Sequence, residues 1–285
     1  MIGTWNSLIA GIAWLGDFCI GLVYTAGRAA LLLAQFPAQA LHLIPVLNRH
    51  PQRHLRRVIE QMFLCGVLAL PVVCITAIFS GMVIAGQTGD ALKAVVGLDP
   101  LGPIIGATMT RELGPVLTAI IVAGFVGGGM SSTIATMTVN EEIDALTVMG
   151  IHPVRFLYVP RLIAMLLVMP ILTVFADVVG IWGGMVVAAA RFGYPKALFL
   201  KYTWQFLQVE DPLFGFFKAI VFGILICTIS CEQGYSATGG AEGVGRATMR
   251  SVVYSFLLIL VFNYLLYGIV WQLMLAIGWG HASFN

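Results

Sequence analysis

The sequence predicts an all-α integral membrane protein with five transmembrane helices and an N-terminal interfacial amphipathic helix. Three observations carry this prediction. Of the 285 residues, 59% are apolar and only 10% are charged, whereas about 25% are charged in soluble domains. The mean hydropathy of +0.95 is too high for a water-soluble chain of this size. Five segments that are long enough to cross a bilayer contain almost no charged residues.

The uncharged segments locate the five predicted spans, because a bilayer core requires about 20 apolar residues in a helix. Two of these segments each contain one charged residue, Asp177 and Lys218, and the stem of Lys218 is expected to carry its ammonium group toward the membrane surface. Helices are expected because they satisfy every backbone group internally, and no strand alternation typical of a barrel is present. The spans are predicted near residues 61–87, 108–139, 160–190, 212–232 and 251–278, within a domain of residues 49–285.

Residues 1–48 form a separate N-terminal region in this prediction. Its apolar segment carries one narrow polar stripe at about 100° per residue, which is typical of a helix lying in the membrane interface. A sixth span remains the alternative, because a polar stripe also suits the interior of a helix bundle. The stripe consists of Asp17, Gly21, Tyr24, Arg28 and Gln35.

Positive charge predicts the orientation. Arg49, Arg53, Arg56 and Arg57 precede the first span and are expected to stay in the cytoplasm. Alternation of the spans then places the loop that follows the second span, residues 140–161, on the cytoplasmic side.

That loop is expected to contain a short helix that docks on a cytosolic partner. Asn140 suits the N-cap, acidic residues follow in the first turn, and Gly150 and Pro153 suit the end. A plain surface connector is the alternative, although a connector requires neither an acidic start nor an apolar stripe. The candidate docking residues are Glu141, Glu142, Ile143, Asp144, Leu146 and Met149.

Arg111 and Glu112 stand where the second span is expected to open. They suit either an anchor at the interface or a polar site in a cavity that handles lipid. Glycine-rich stretches in the second and third spans, including Gly180-Ile-Trp-Gly-Gly184, predict close contact between helices.

Several function classes find no support in the sequence. HExxH and GxSxG motifs are absent, and Asp177 is the only acidic residue expected deep in a span, so no catalytic residue is predicted. The five cysteines lack metal-ligand spacing, no metal site or bound cofactor is expected, and a net charge of +2 gives no reason to expect nucleic acid as a partner.

Four motifs together resemble the MlaE/YrbE family of ABC-transporter permeases, in the same order and spacing from about Arg57 to Trp271. The first is Arg111-Glu-Leu-Gly-Pro-Val-Leu-Thr-Ala119, and the second is Glu142-Ile-Asp-Ala-Leu-Thr-Val-Met-Gly-Ile-His-Pro-Val-Arg155. The third is Val159-Pro-Arg161, and the fourth is Gly239-Gly-Ala-Glu-Gly-Val-Gly-Arg-Ala-Thr248.

The resemblance implies a homodimeric permease in the bacterial inner membrane. It would move phospholipid between inner and outer membranes, together with a cytosolic ABC ATPase that binds the ATP and with an MCE-domain protein. By position in the motifs, Glu142–Met149 would couple to the ATPase, and Arg111 and Glu112 would lie near the lipid cavity.

Three positions depart from the family pattern. Phe125 stands where the family commonly has arginine, and the stretch from Ser132 to Met137 lacks the usual glutamate. The exit of the fourth span, Cys231 to Thr238, lacks the common basic residue.

Five spans alone enclose too little space for a lipid with two tails, so two copies are expected to form a cavity lined by the first, second and fifth spans. Tyr254 and Phe262 are the predicted substrate-contacting residues there, with Phe256 and Tyr264 as further bulky walls. An intramembrane lipid-modifying enzyme and a scaffold or channel subunit without an ATPase are the alternative functions.

Overall fold

The computed structural model describes residues 51–95 and 97–277, together with individual positions between 13 and 34. Those individual N-terminal positions are helical. Asp17 and Gln35, two members of the predicted polar stripe, lie outside the described residues.

The predicted fold class is confirmed, since five helices are long and apolar enough to cross a membrane and the described residues contain no strand. We number them spans 1 to 5, and they cover Leu55–Val95, Leu101–Val139, Val154–Phe192, Glu210–Tyr235 and Gly240–Ile269. Their α-helical segments are Pro51–Met62 and Leu70–Val95 in span 1, Leu101–Thr108, Gly114–Val122 and Gly128–Val139 in span 2, Val159–Phe192 in span 3, Glu210–Tyr235 in span 4, and Gly240–Ile277 in span 5.

Short π-helical turns interrupt three of the spans. They cover Phe63–Val67 in span 1, Met109–Leu113 and Ala123–Gly127 in span 2, and Val154–Tyr158 at the start of span 3. A π-helical turn inserts one extra residue into the helix, and such turns are frequent at functional sites.

Two further helices connect the spans at opposite ends of the bundle. The first, Glu142–Val148, joins spans 2 and 3, and we call it the acidic helix. The second, Lys196–Phe206, joins spans 3 and 4 at the other end. The acidic helix therefore marks one membrane side, and the helix Lys196–Phe206 marks the opposite side.

Span 3 lies at the centre of the bundle and packs on spans 1, 2 and 4. Its glycines permit this, because a Cβ at Gly81 of span 1 would collide with the carbonyl oxygen of Gly180, and a Cβ at Gly183 would collide with that of Ile78. The glycine-rich stretch of span 3 thus makes the close helix contact that was predicted for it.

Candidate functional site

Two ion pairs connect spans 2 and 4, and an amide from span 5 joins one of them. Nε of Arg111 donates to Oδ1 of Asp211 at 2.5 Å, and Nζ of Lys218 donates to Oε1 of Glu112 at 2.6 Å. The amide nitrogen of Asn263 donates to Oε2 of Glu112 at 3.1 Å. We call these five residues the intramembrane cluster, since all five lie in helices that are long and apolar enough to cross a membrane, with Asp211 at the start of span 4.

Each ion pair has one buried member and one accessible member. The side chains of Asp211 and Lys218 are 2% and 0% exposed, whereas those of Arg111 and Glu112 are 48% and 34% exposed. The Lys218 ammonium also lies 4.5 Å from the centre of the Phe214 ring. The cluster therefore presents a cation and an anion from adjacent positions of span 2, each held by a buried counter-charge.

These contacts bear on three sequence-based expectations. Arg111 and Glu112 were considered together as one polar site, but adjacent residues on a helix point to different faces, so each finds its own partner on span 4. Lys218 was expected to reach the membrane surface, but Glu112 holds it inside the bundle. Asp177 is also not the only acidic residue within a span, because Glu112 lies well inside span 2.

The π-helical turn Met109–Leu113 contains Arg111 and Glu112. Immediately after this turn, Gly114 leaves room for the carboxylate of Asp177, because a Cβ there would collide with Oδ1 of Asp177. That oxygen is buried and has no hydrogen-bond partner among the described residues. The turn and the glycine thus bring spans 2 and 3 together beside the intramembrane cluster.

The aromatic residues proposed as cavity walls do not share one surface. Tyr254 is buried, and its hydroxyl oxygen is 2.8 Å from the position that a Cβ on Gly21 would take. Its side chain therefore faces the N-terminal segment. Phe256 and Phe262 pack half-buried against the core, whereas Tyr264 is largely exposed. Phe262 and Tyr264 are the two candidates that flank Asn263 of the intramembrane cluster in the sequence.

Sequence reasoning missed a second polar cluster, which lies at the acidic-helix end of span 4. Glu232 is buried, and its Oε1 accepts from Nε of Arg28 at 2.9 Å and from the Ser236 hydroxyl at 2.8 Å. The amide nitrogen of Gln233 donates to Glu232 at 2.8 Å and to the Thr25 hydroxyl at 3.1 Å. We call these residues the Glu232 cluster, and it fastens the described N-terminal positions to span 4.

The acidic helix begins one residue later than predicted. Asn140 was expected as its N-cap, but Glu141 takes that place in the left-handed conformation, with φ of 60°, and turns the chain out of span 2. Gly150 has φ of 73°, in agreement with its predicted place at the end of the helix.

The candidate docking residues divide between two faces of the acidic helix. Ile143 and Leu146 are half-buried, and Ile143 packs against the protein's own core. Met149 is 64% exposed, and its neighbour Val148, which was not among the candidates, is 89% exposed. The remaining candidates, Glu141, Glu142 and Asp144, are also exposed, so the open face is acidic with an apolar end.

No group of three or more His, Cys, Asp or Glu side chains that could hold a metal ion occurs in the described part of the chain. Asp211 and Lys218 are members of the intramembrane cluster that the sequence analysis did not assign to a site. Their spacing could have indicated them, because residues seven apart lie on one face of span 4. Asn263 had no such signal, because a single amide in an apolar segment has many possible partners.

Known proteins are similar in sequence to this chain over most of its length. A family profile described as Permease MlaE matches residues 58–269. A probable ABC transporter permease protein of Rickettsia typhi is 40% identical over 216 residues, which are 76% of this chain and 83% of the relative. A relative with the same description from Rickettsia bellii is 36% identical over 251 residues, or 87% and 96% of the two chains. One from Synechocystis is 38% identical over 217 residues, or 76% and 82%.

The matched segment covers almost all of the five spans, including both ion pairs of the intramembrane cluster. The names of the relatives confirm the prediction of a permease rather than an enzyme, and an ABC permease implies an ATPase partner. The five apolar helices make it a multi-pass membrane protein. The chain therefore belongs to the MlaE permease family of ABC transporters.

Proposed function

We propose that this permease moves phospholipids between the inner and outer membranes of a bacterium. It works as a homodimer in the inner membrane, with a cytosolic ABC ATPase that binds the ATP and with an MCE-domain protein. The observation that carries the proposal is the intramembrane cluster, which offers an accessible cation and an accessible anion within the bundle. Intramembrane charges are costly, and they commonly mark the path of a polar or charged cargo.

A phospholipid matches the two accessible groups. The guanidinium of Arg111 offers several donors in a plane and pairs well with a phosphate, since only its Nε is engaged by Asp211. The carboxylate of Glu112 accepts from a head-group amine. The buried partners Asp211 and Lys218 hold both groups in position when no lipid is present.

A second copy of the chain accounts for the uncovered spans. Spans 1 and 5 are mostly uncovered within one chain, whereas more than half of the apolar windows of spans 2, 3 and 4 is buried. In a homodimer, the exposed apolar residues of spans 1 and 5 complete a cavity that accepts the two acyl chains.

The acidic helix is the proposed contact with the ATPase. Its charged first turn and its exposed Val148 and Met149 suit a protein surface, where an apolar centre is surrounded by charges that set the orientation. Ile143 holds the acidic helix against the bundle by packing on the core.

The test is ATP-driven lipid transfer by the complete complex in liposomes that contain phosphatidylethanolamine. Arg111→Gln should reduce transfer by about tenfold or more, because a charged hydrogen bond contributes about 1.5–3 kcal/mol. Arg191→Gln is the matched control, since it removes an arginine from an exposed pair with Asp90 at 2.8 Å. Equal transfer by the two variants would contradict the proposal.

A further inference from the structure

A groove of about 250 Å³ lies between spans 1 and 2, in the half of the bundle nearer the acidic helix. The π-helical turns Phe63–Val67 and Ala123–Gly127 lie on its two walls, and each carries an apolar side chain to the surface. Leu64 and Phe125 are about half exposed, so the groove opens at the face of the bundle. Its lining consists of Gln61, Leu64, Cys65, Leu68, Phe125, Val126, Gly129, Met130, Thr133 and Arg161.

The groove is polar at one end and apolar at the other. Gln61, Thr133 and Arg161 line the end nearer the acidic helix. Leu68 and Phe125 lie deeper, because about 10 Å of helix separates Gln61 from Leu68 and about 12 Å separates Thr133 from Phe125. This order of groups matches an amphiphile whose head points toward the acidic-helix side.

Arg161 is the charged group at the polar end. Arg161 is only 7% exposed. Its one hydrogen bond among the described residues runs from Nη1 to the carbonyl oxygen of Leu157, at 2.9 Å. No carboxylate of the described residues lies within 4 Å of it. Arg161 is one of the residues that line the groove, so its guanidinium is the charged group available there.

Lys218, the other buried cation in the described part of the chain, has a different environment. Lys218 has the carboxylate of Glu112 as its partner, whereas the one hydrogen bond of Arg161 among the described residues runs to a carbonyl oxygen, and its neighbours are the thiols of Cys65 and Cys231. Asp177, the buried acid without a partner, stands on the same helix as Arg161 but about 24 Å away, which is too far to pair with it. A buried guanidinium without a counter-ion is unfavourable, so the polar end of the groove is suited to an anion from outside the chain.

We propose that the groove binds one anionic lipid, whose phosphate pairs with Arg161 and whose acyl chain lies along Leu64, Leu68 and Phe125. A volume of about 250 Å³ is below the range of roughly 300–1,000 Å³ typical of pockets that enclose a whole small molecule. The groove therefore holds the part of a lipid next to its phosphate, and the remainder of the lipid stays in the bilayer.

This site is separate from the intramembrane cluster. Arg161 lies near the acidic-helix end of span 3, whereas Asp211 and Lys218 lie in the opposite end of span 4. The proposal rests on Arg161 and the groove, and it holds for any cargo of the permease. Its failure would leave the proposed transport function in place.

Binding of dodecyl phosphate to the purified protein in a neutral maltoside detergent tests this proposal. We expect about one bound molecule per chain, and Arg161→Gln should weaken binding by about tenfold or more because it removes a charge-assisted contact. Arg250→Gln, which removes an exposed arginine from the same membrane side, should leave the affinity unchanged. Inorganic phosphate and dodecanol serve as probes for the anion alone and the chain alone.

Gly129→Leu provides a second variant that keeps Arg161. A Cβ at Gly129 has no atom within 4 Å, so a larger side chain fits the fold and fills the groove. We expect it to weaken dodecyl phosphate binding as well. Unchanged binding in both variants would overturn the proposal, as would inorganic phosphate binding as tightly as dodecyl phosphate, or dodecanol showing the same dependence on Arg161.

Discussion

The two polar clusters of this permease have similar chemistry but hold different parts of the molecule. In the intramembrane cluster, Asp211 and Lys218 are buried and pair with span 2, so they join elements of the core bundle. In the Glu232 cluster, one buried acid pairs with Arg28, whose side chain is 41% exposed, in the N-terminal segment. The first cluster should therefore control global stability and the second only local attachment.

The largest effect is expected when the buried cation of the intramembrane cluster loses its counter-charge. Glu112→Gln leaves the fully buried ammonium of Lys218 without a carboxylate partner, which should lower the free energy of unfolding by about 3–5 kcal/mol. The double variant Glu112→Gln/Lys218→Met removes both charges and should be less destabilised than Glu112→Gln. Unfolding in detergent measures both, with the exposed Lys201→Met as the control. If the double variant loses as much unfolding free energy as the two single variants together, Glu112 and Lys218 do not stabilise the fold as an ion pair.

Removal of the accessible cation should have the next largest effect. Arg111→Gln leaves the buried carboxylate of Asp211 without its counter-charge, and the backbone N–H of Gln208 remains as a donor at 3.2 Å. A loss of about 3 kcal/mol is expected, since water reaches part of the site. Arg191→Gln breaks the exposed pair with Asp90 and should cost about 0–1 kcal/mol. Equal losses of unfolding free energy in the two variants would show that the burial of Asp211 does not strengthen the contribution of its ion pair to stability.

The Glu232 cluster should show a smaller and local effect. Arg28→Gln removes a charged contact of about 1.5–3 kcal/mol and loosens the N-terminal segment. The Ser236 hydroxyl and the Gln233 amide still donate to the buried Glu232, so the five spans should keep most of their stability. Hydrogen exchange should become faster in a peptide covering residues 23–32 and stay unchanged in spans 3 and 4. Arg246→Gln, which breaks an exposed contact with Glu242, is the control. Faster exchange throughout the bundle would remove the distinction between the two clusters.

The smallest effect on stability is expected at the exposed end of the acidic helix. Val148→Lys and Met149→Lys should leave the unfolding temperature unchanged and reduce recovery of the ATPase with the permease. Ile143→Lys should destabilise the permease itself, because Ile143 packs against the core. Normal ATPase recovery from the double Val148→Lys/Met149→Lys variant would remove the proposed contact.

The fold was predictable because hydropathy and the spacing of charges depend on one helix at a time. The lengths of the uncharged segments predicted five spans, and the glycines of span 3 predicted a close helix contact, which the structure shows to be with span 1. The acidic helix was also predictable, since its start and end residues are local, although its cap shifted by one residue to Glu141.

The partners of the charged residues were not predictable in the same way. Asp211 and Lys218 are about 100 residues from Arg111 and Glu112, and their pairing depends on how spans 2 and 4 face each other. The Glu232 cluster required knowledge that the N-terminal segment packs on span 4. Hydropathy gives the length of a helix but not its rotation, so it identified the candidate residues without their contacts.

The central claim is that the intramembrane cluster handles lipid in addition to supporting the fold. The most direct test is ATP-driven phospholipid transfer by the Glu112→Gln/Lys218→Met variant in liposomes, because this variant loses both charges together and is expected to stay folded. We predict a folded protein that retains its ATPase but transfers lipid about tenfold more slowly, or slower still, than the unmodified permease. Transfer at the unmodified rate by the folded variant would contradict the claim and leave the cluster with a structural role alone.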